Sequence, residues 1–376
     1  MGGSGVPVTA DRMSSKPASE HEERARLTVD ERDLGPQMAP VVAGRRQSLE
    51  GFEADYTDIV DYIIRCTHKI WEDKAVGLIY THYAHNTPVH LSDAEFYGRD
   101  QVVENTVRTL AAFPDLRLFG DEVIWSGNDR DGFHSSHRVT WSGHNLGHSI
   151  YGPPTGRRVQ RREIAHCVVR RGRIVEEWIV HDETALIRQL GLDEVELART
   201  LARMEAELGW QSPGDLVGEV PRLPGQGHPP VQLDGDPRDP DALPGLLYGL
   251  VWNARMLNYL AEYYAPNAVV WVPGNRRLEG HGDLTAYVLG LLAAFPDGAM
   301  SVDHVAWIGS EAQGYKVAAR WTFQGTHGGP GPYGPPTGRR VRVLGISHFE
   351  VRGGRIEREY MVWDEFALLK QVYRPG

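Results

Sequence analysis

Cysteine is nearly absent from this chain. Cys66 and Cys167 are the only two among 376 residues, which excludes a disulfide framework and points to a reducing compartment. Long hydrophobic runs are also missing. No stretch of about 18 apolar residues suggests a membrane-spanning helix, and the N-terminus lacks the apolar segment of a signal peptide, so a soluble cytoplasmic protein is expected. Positive charge is in deficit, with 40 Lys and Arg against 50 Asp and Glu and a net charge of −10. That balance disfavours nucleic acid or an anionic membrane as a partner and favours a small molecule.

What the chain does contain is a repeat. "YGPPTGRRV" occurs at Tyr151–Val159 and again at Tyr333–Val341, an offset of 182 residues. The register holds beyond it: Phe113-Pro114-Asp115 falls on Phe295-Pro296-Asp297, Trp125 on Trp307, Arg138 on Arg320, His166 on His348, and Asp182-Glu183 on Asp364-Glu365. Between Tyr151 and Leu190, 23 of 40 positions are identical, far above background, so the repeat is a whole domain. The organisation read from this is a disordered N-terminal tail over 1–50, a first domain over 51–191, a connecting helix and Pro/Gly-rich linker over 192–242, and a second domain over 243–376.

Each copy opens with helical spacing. Ile59, Ile63, Cys66 and Ile70 share one face, as do Leu247, Leu250, Ala254, Leu257 and Ala261. A second helix is predicted from Val103, Val107 and Leu110 and from Leu284, Val288 and Leu292, each stopped by Phe-Pro-Asp. The connecting helix carries Leu197, Leu201, Met204 and Leu208 at helical spacing. The period then falls to two in "SHRVTWSG", "REIAHCVVRRGRIVEEWIVHD" and their counterparts, with Arg-Gly and Gly-Gly marking tight antiparallel turns. Helices followed by long strands predict an α+β fold, two tandem cone-shaped domains with helices packed on a curved antiparallel sheet.

The second copy resembles the SnoaL-like polyketide cyclase, or ester cyclase, family. The resemblance is carried by Arg320-Trp321, Gly325-Thr326-His327, Pro335-Pro336-Thr337-Gly338, Gly354-Arg355-Ile356, Asp364, Leu368-Leu369 and Gln371. The first copy matches at Arg138, Pro153 to Gly156, Gly172 to Ile174, "EEW", Asp182 and "LIRQLG". It departs at Gly143 to Asn145, where the family reads Gly-Thr-His, and at "HLSDAEF", where the second copy keeps Pro273-Gly274. The resemblance implies the cone-shaped fold of nuclear transport factor 2. It also implies an Asp general acid/base that drives intramolecular aldol closure of a polyketide ester without metal or cofactor, and Asp182 and Asp364 match that residue.

Strand parity nominates the rest of the candidate site. Trp178 shares a face with Asp182, and Tyr360 with Asp364. A carboxylate beside an aromatic and aliphatics is partly desolvated, which suits a base near neutral pH. His166 and His348 lie on the preceding strand and would pair with Asp182 and Asp364 if the hairpin register permits. Each Asp can equally be a helix N-cap, and each His a core residue. Arg138 and Arg320 could hold an enolate oxygen or form a salt bridge, and Asn145 and His327 are candidate pocket-mouth residues. The Pro-Pro-Thr-Gly loop reads as a strand connection, with chemistry on the strands that it joins.

Histidine is unevenly placed, with ten residues in the first copy and four in the second. "HSSHRVTWSGHNLGH" raises a metal site, but His134 and His137 point to opposite faces and no carboxylate pattern recurs, so no metal and no cofactor are expected. The leading functional expectation is a cofactor-independent acid/base enzyme that cyclises or isomerises a hydrophobic polyketide-like molecule. Its rivals are a non-catalytic binding or scaffold protein and a hydrolase or dehydratase on the same fold. The two repeats are expected to pack as an intramolecular pseudo-dimer, and a further homodimer remains open.

Overall fold

The computed structural model describes residues 44–216 and 235–375. Most of the expected tail and the centre of the linker lie outside the described residues. The predicted opening helix forms as α1 (Ile59–Trp71), with Ile59, Ile63, Cys66 and Ile70 buried and Asp58 capping its N-terminus through the Asp61 amide. A single turn, α2 (Ile79–His82), leads to the short strands β1 (Pro88–His90) and β2 (Glu95–Tyr97) and then to α3 (Arg99–Ala112). α3 ends at Phe113 because Pro114 offers no amide to continue it.

Four long strands follow: β3 (Arg117–Asn128), β4 (Gly132–His144), β5 (Arg158–Arg170) and β6 (Arg173–His181), closed by α4 (Glu183–Leu190) and the connecting helix α5 (Glu194–Glu207). The second copy repeats the plan with α6 (Leu243–Leu247), α7 (Leu260–Tyr263), β7 (Tyr264–Val272), β8 (Arg276–Glu279), α8 (Gly280–Ala294), β9 (Ala299–Ser310), β10 (Gly314–Thr326), β11 (Arg340–Arg352), β12 (Arg355–Trp363) and α9 (Glu365–Val372). The sheets run β2-β1-β6-β5-β4-β3 and β8-β7-β12-β11-β10-β9. β1 lies parallel to β6, and β7 parallel to β12; the other pairs are antiparallel. The fold is therefore α+β, with one six-stranded mixed sheet in each copy. The predicted tight turns are present: Arg171-Gly172 and Gly353-Gly354 all have positive φ, as a two-residue hairpin turn with the strands' own twist requires.

Three sequence expectations need correction. The opening helix of the second copy is broken. α6 passes into a π-helical stretch at Tyr248–Asn253, and Arg255 at φ 62° ends it, so Leu257 and Ala261 belong to later turns. Its buried face is Leu243, Leu246, Leu247 and Val251. α5 buries Ala198 and Ala202 and leaves Met204 51% and Leu208 65% exposed, because small residues let it lie close to its neighbours. The strands β1, β2, β3, β7, β8 and β9 had no clear period-two signal. Among the described residues no helix is long and apolar enough to cross a membrane.

Both faces of each sheet are covered. On one face of the first sheet, Phe133, Cys167 and Val169 pack against Ile63, Cys66 and Ile70 of α1. The other face meets the second sheet, where Ile164 and Val180 pack with Leu344, Ile346 and Val362.

Candidate functional site

The parity rule grouped the predicted residues correctly, but the structure does not place them in two separate pockets. Arg138, His166 and Trp178 share one face, as do Arg320, His348 and Tyr360, but these two faces turn toward each other. The guanidinium of Arg138 stacks 3.6 Å from the Tyr360 ring centroid, and that of Arg320 lies 3.4 Å from the Trp178 ring. These reciprocal cation–π contacts join the two repeats.

His166 and Asp182 are not brought together, nor are His348 and Asp364. His166 lies opposite Trp178 and His348 opposite Tyr360. Each Asp follows four residues later, about 13 Å along the strand. His348 instead binds across the domains: its Nδ1 is 2.9 Å from a Glu122 carboxylate oxygen and its Nε2 is 2.8 Å from Ser136 Oγ. Lys316 reaches Glu122 at 2.7 Å, and the His348 hydrogen bond together with the Arg138 and Lys316 charges holds the Glu122 carboxyl far below the usual range despite burial.

The two aspartates are helix caps with different surroundings. Asp182 accepts from the Ala185 amide that opens α4 and, across the domains, from the amides of Gly274 at 2.6 Å and Asn275 at 2.9 Å. Asp364 accepts from the Ala367 amide at 2.8 Å, but there the facing turn presents Asp93. Burial and then the Asp93 charge push the Asp364 carboxyl up to about 7, while Lys370 bridges Asp93 and Glu205. Asn145 and His327 hold the Pro-Pro-Thr-Gly loops: Asn145 Oδ1 accepts from the Thr155 amide at 2.8 Å, and His327 Nδ1 lies 3.2 Å from Thr337 Oγ1.

The helix-covered face carries a second set of groups that parity had set aside. In the first cone, Glu177 is buried and accepts from Tyr83 Oη at 3.1 Å and from Cys167 Sγ at 3.4 Å. Burial lifts its carboxyl to about 7, and the two donors only partly oppose this. Ser135 lies opposite Cys167, and His137 follows on the same face. His137 Nε2 has no hydrogen-bond partner, and burial pushes its ring down to about 3, so it is neutral. Further along the same face, Glu163 accepts from Trp141 Nε1 at 3.1 Å and pairs with Arg161 at 2.9 Å.

The second cone keeps one of these features. Glu359 is equivalent to Glu177, accepts from Tyr264 Oη at 2.6 Å, and is likewise lifted by burial to about 7. Around it, Val317 stands for Ser135, Ala319 for His137, Gly345 for Glu163, Val343 for Arg161 and Trp363 for His181. The Trp321 indole lies over Gly345, where an added Cβ would overlap it, and donates to Ser347 Oγ at 3.2 Å. The first interior is polar and the second is filled with apolar side chains. An open surface depression of about 180 Å³ is lined by Ile308, Tyr315, Lys316 and Glu350 among others, and by neither Glu177 nor Glu359. The sequence did carry a signal for the buried carboxylates, since a Glu precedes Trp178 and Tyr360 in both copies.

Comparison with known proteins gives one family. The profile of the SnoaL-like polyketide cyclases matches residues 57–190 and again 246–372. Among solved structures, one described as a SnoaL-like polyketide cyclase from Jannaschia sp. CCS1 aligns at 20% identity and a TM-score of 0.33 over 38% of this chain and 99% of its own. IdmH from Streptomyces antibioticus aligns at 26% identity and 0.31 over 35% and 97%, and TsrD from Streptomyces laurentii at 20% and 0.31 over 35% and 94%. No curated protein matches.

Proposed function

Because the chain belongs to the SnoaL-like polyketide cyclase family, matched twice along its length, we propose that it is a cofactor-independent acid/base enzyme that cyclises or isomerises a hydrophobic polyketide-like molecule. We assign the chemistry to the interior of the first cone and a structural role to the second. The observation that carries this reading is Glu177, a buried carboxylate lifted to about 7 and placed against Tyr83, in an interior that also holds Ser135 and a neutral His137. A base titrating near neutrality can take a proton and then return it.

In the aldol form of the reaction, Glu177 removes a proton α to a substrate carbonyl, and the enolate oxygen is stabilised by a hydroxyl donor such as Tyr83. The enolate carbon then attacks a second carbonyl of the same molecule, and the resulting alkoxide takes the proton back from the Glu177 acid. Isomerisation uses the first step alone, followed by return of the Glu177 proton to a different carbon of the conjugated enolate. We assign the base to Glu177 rather than to Asp182, whose carboxylate already accepts three backbone amides. The two repeats act as the intramolecular counterpart of a homodimer, with Arg138 on Tyr360 and Arg320 on Trp178 as its reciprocal contacts. We place the protein in the cytoplasm, in keeping with two buried free thiols.

The test is turnover of polyketide-like 1,3-dicarbonyl esters by wild type, Glu177→Gln, Glu359→Gln and Asp182→Asn. Glu177→Gln is expected to lower kcat by about 10²–10⁴ and to remove an acid-side limb near pH 7, with Glu359→Gln within a few fold of wild type. Loss confined to Glu359→Gln or to Asp182→Asn would move the site and overturn the assignment.

A further inference from the structure

We propose that His134, His166 and His304 form a site for a divalent transition-metal ion of the zinc class, clasping the two repeats together. The three side chains come from β4, β5 and β9, so the third ligand is supplied by the other copy, and a search within one stretch of sequence does not find it. One ring nitrogen from each lies within 4.8 Å of the others. The ring centroids are 4.2 Å apart for His134 and His304, 4.8 Å for His166 and His304, and 5.8 Å for His134 and His166.

The cluster leaves polar atoms unsatisfied. His166 is 1% exposed, and neither of its ring nitrogens has a hydrogen-bond partner; the same holds for Nδ1 of His134. A buried imidazole without partners is uncommon and calls for a ligand.

The pseudo-symmetry of the chain supplies an independent argument. The 182-residue offset carries His134 onto Lys316, His166 onto His348 and His304 onto Glu122. On that side of the interface the place is filled from within: Lys316 and His348 both bind Glu122, and Ser136 takes the remaining His348 nitrogen. On this side three imidazoles meet without the carboxylate or the ammonium. A cation there would do what the ion-paired cluster does opposite.

An all-nitrogen donor set selects zinc, copper or nickel over magnesium or calcium, whose preferred ligands are oxygens. Tetrahedral zinc at about 2.0–2.1 Å from each nitrogen requires the three rings to draw together and the stacked His134 and His304 rings, 16° apart, to rotate until their nitrogens converge. Arg320 and Arg170 oppose the ion, while Glu176 offsets them on the His134 side and Asp303 lies near Arg320.

The experiment is calorimetric titration of EDTA-treated full-length protein with Zn²⁺, with Co²⁺ absorption as a readout of tetrahedral coordination. One equivalent of Zn²⁺ is expected, together with a higher Tm. His166→Ala should weaken binding at least about tenfold. Since that variant risks unfolding, His134→Lys with His304→Glu installs the ion pair that the other side already uses, and should fold while losing the stoichiometric phase. Absence of one-equivalent uptake by the wild type, or uptake unchanged in the folded double variant, overturns the proposal.

Discussion

Glu177→Gln should make the protein more stable at alkaline pH, and the size of the gain follows from burial. The carboxyl is buried and titrates at about 7 in the folded chain, against 4.5 for the ordinary group. Between those values the native state holds a proton that the unfolded state has released, so stability falls as pH rises through this window and levels off above it. At about 1.4 kcal/mol per unit, the ionised group costs the fold about 3 kcal/mol at pH 8. Gln has the same shape, keeps an acceptor for Tyr83 and has nothing to ionise. Urea unfolding at pH 5 and pH 8 should therefore give near-equal stabilities at pH 5 and an advantage of about 3 kcal/mol for the variant at pH 8, with unchanged m-values. Asp364 and the other titrating groups are present in both proteins and cancel. A variant equal to or weaker than wild type at pH 8 would refute the burial argument and, with it, the reason for choosing Glu177 as the base.

The remaining predictions concern the second cone and the caps. Gly345→Ala places a Cβ inside the Trp321 indole and should cost about 1–3 kcal/mol in urea unfolding, while kcat per folded molecule stays unchanged. The two cap aspartates should respond with opposite sign at pH 8. Asp182→Asn loses acceptor capacity for three amides and should destabilise by about 1–3 kcal/mol, whereas Asp364→Asn keeps the cap, removes a charge held beside Asp93 and should stabilise. Two losses of similar size would refute the Asp93 account.

Elements with strong local periodicity were legible in the sequence: α1, the stop at Phe113-Pro114, the hairpin turns and the order of helices before long strands. The strands β1 and β7 were not, because what makes them strands is pairing with the distant β6 and β12, and β2 and β8 add to them in turn. α6 misled because Leu250 and Ala254 fit a helical stripe with Leu247 that the π-helical stretch breaks, leaving Leu247 buried and the other two half-buried. For the site, parity sorted Arg138, His166 and Trp178 from Cys167 and Glu177 correctly. It could not say which set faced the helices, because a sheet covered on both sides loses the polar and apolar alternation that marks inside from outside.

That ambiguity explains why identity between the copies pointed to the face that joins them. An interface between two repeats uses each residue twice, so Arg138 with Arg320 and the caps Asp182 with Asp364 must fit one another's surroundings in both copies. A cone interior is private to its copy. Once one interior holds the polar groups, the other is free to fill: Ala319, Val343, Gly345 and Trp363 replace His137, Arg161, Glu163 and His181 and leave Glu359 as the carboxylate retained in the second interior. In this tandem protein many positions shared by the copies line the seam that joins them, with Glu177 and Glu359 a shared pair inside the cones, and the rest of each interior is where the copies part. The His134, His166 and His304 cluster, whose counterpart is Lys316, His348 and Glu122, sits on the seam and yet departs from its own symmetry.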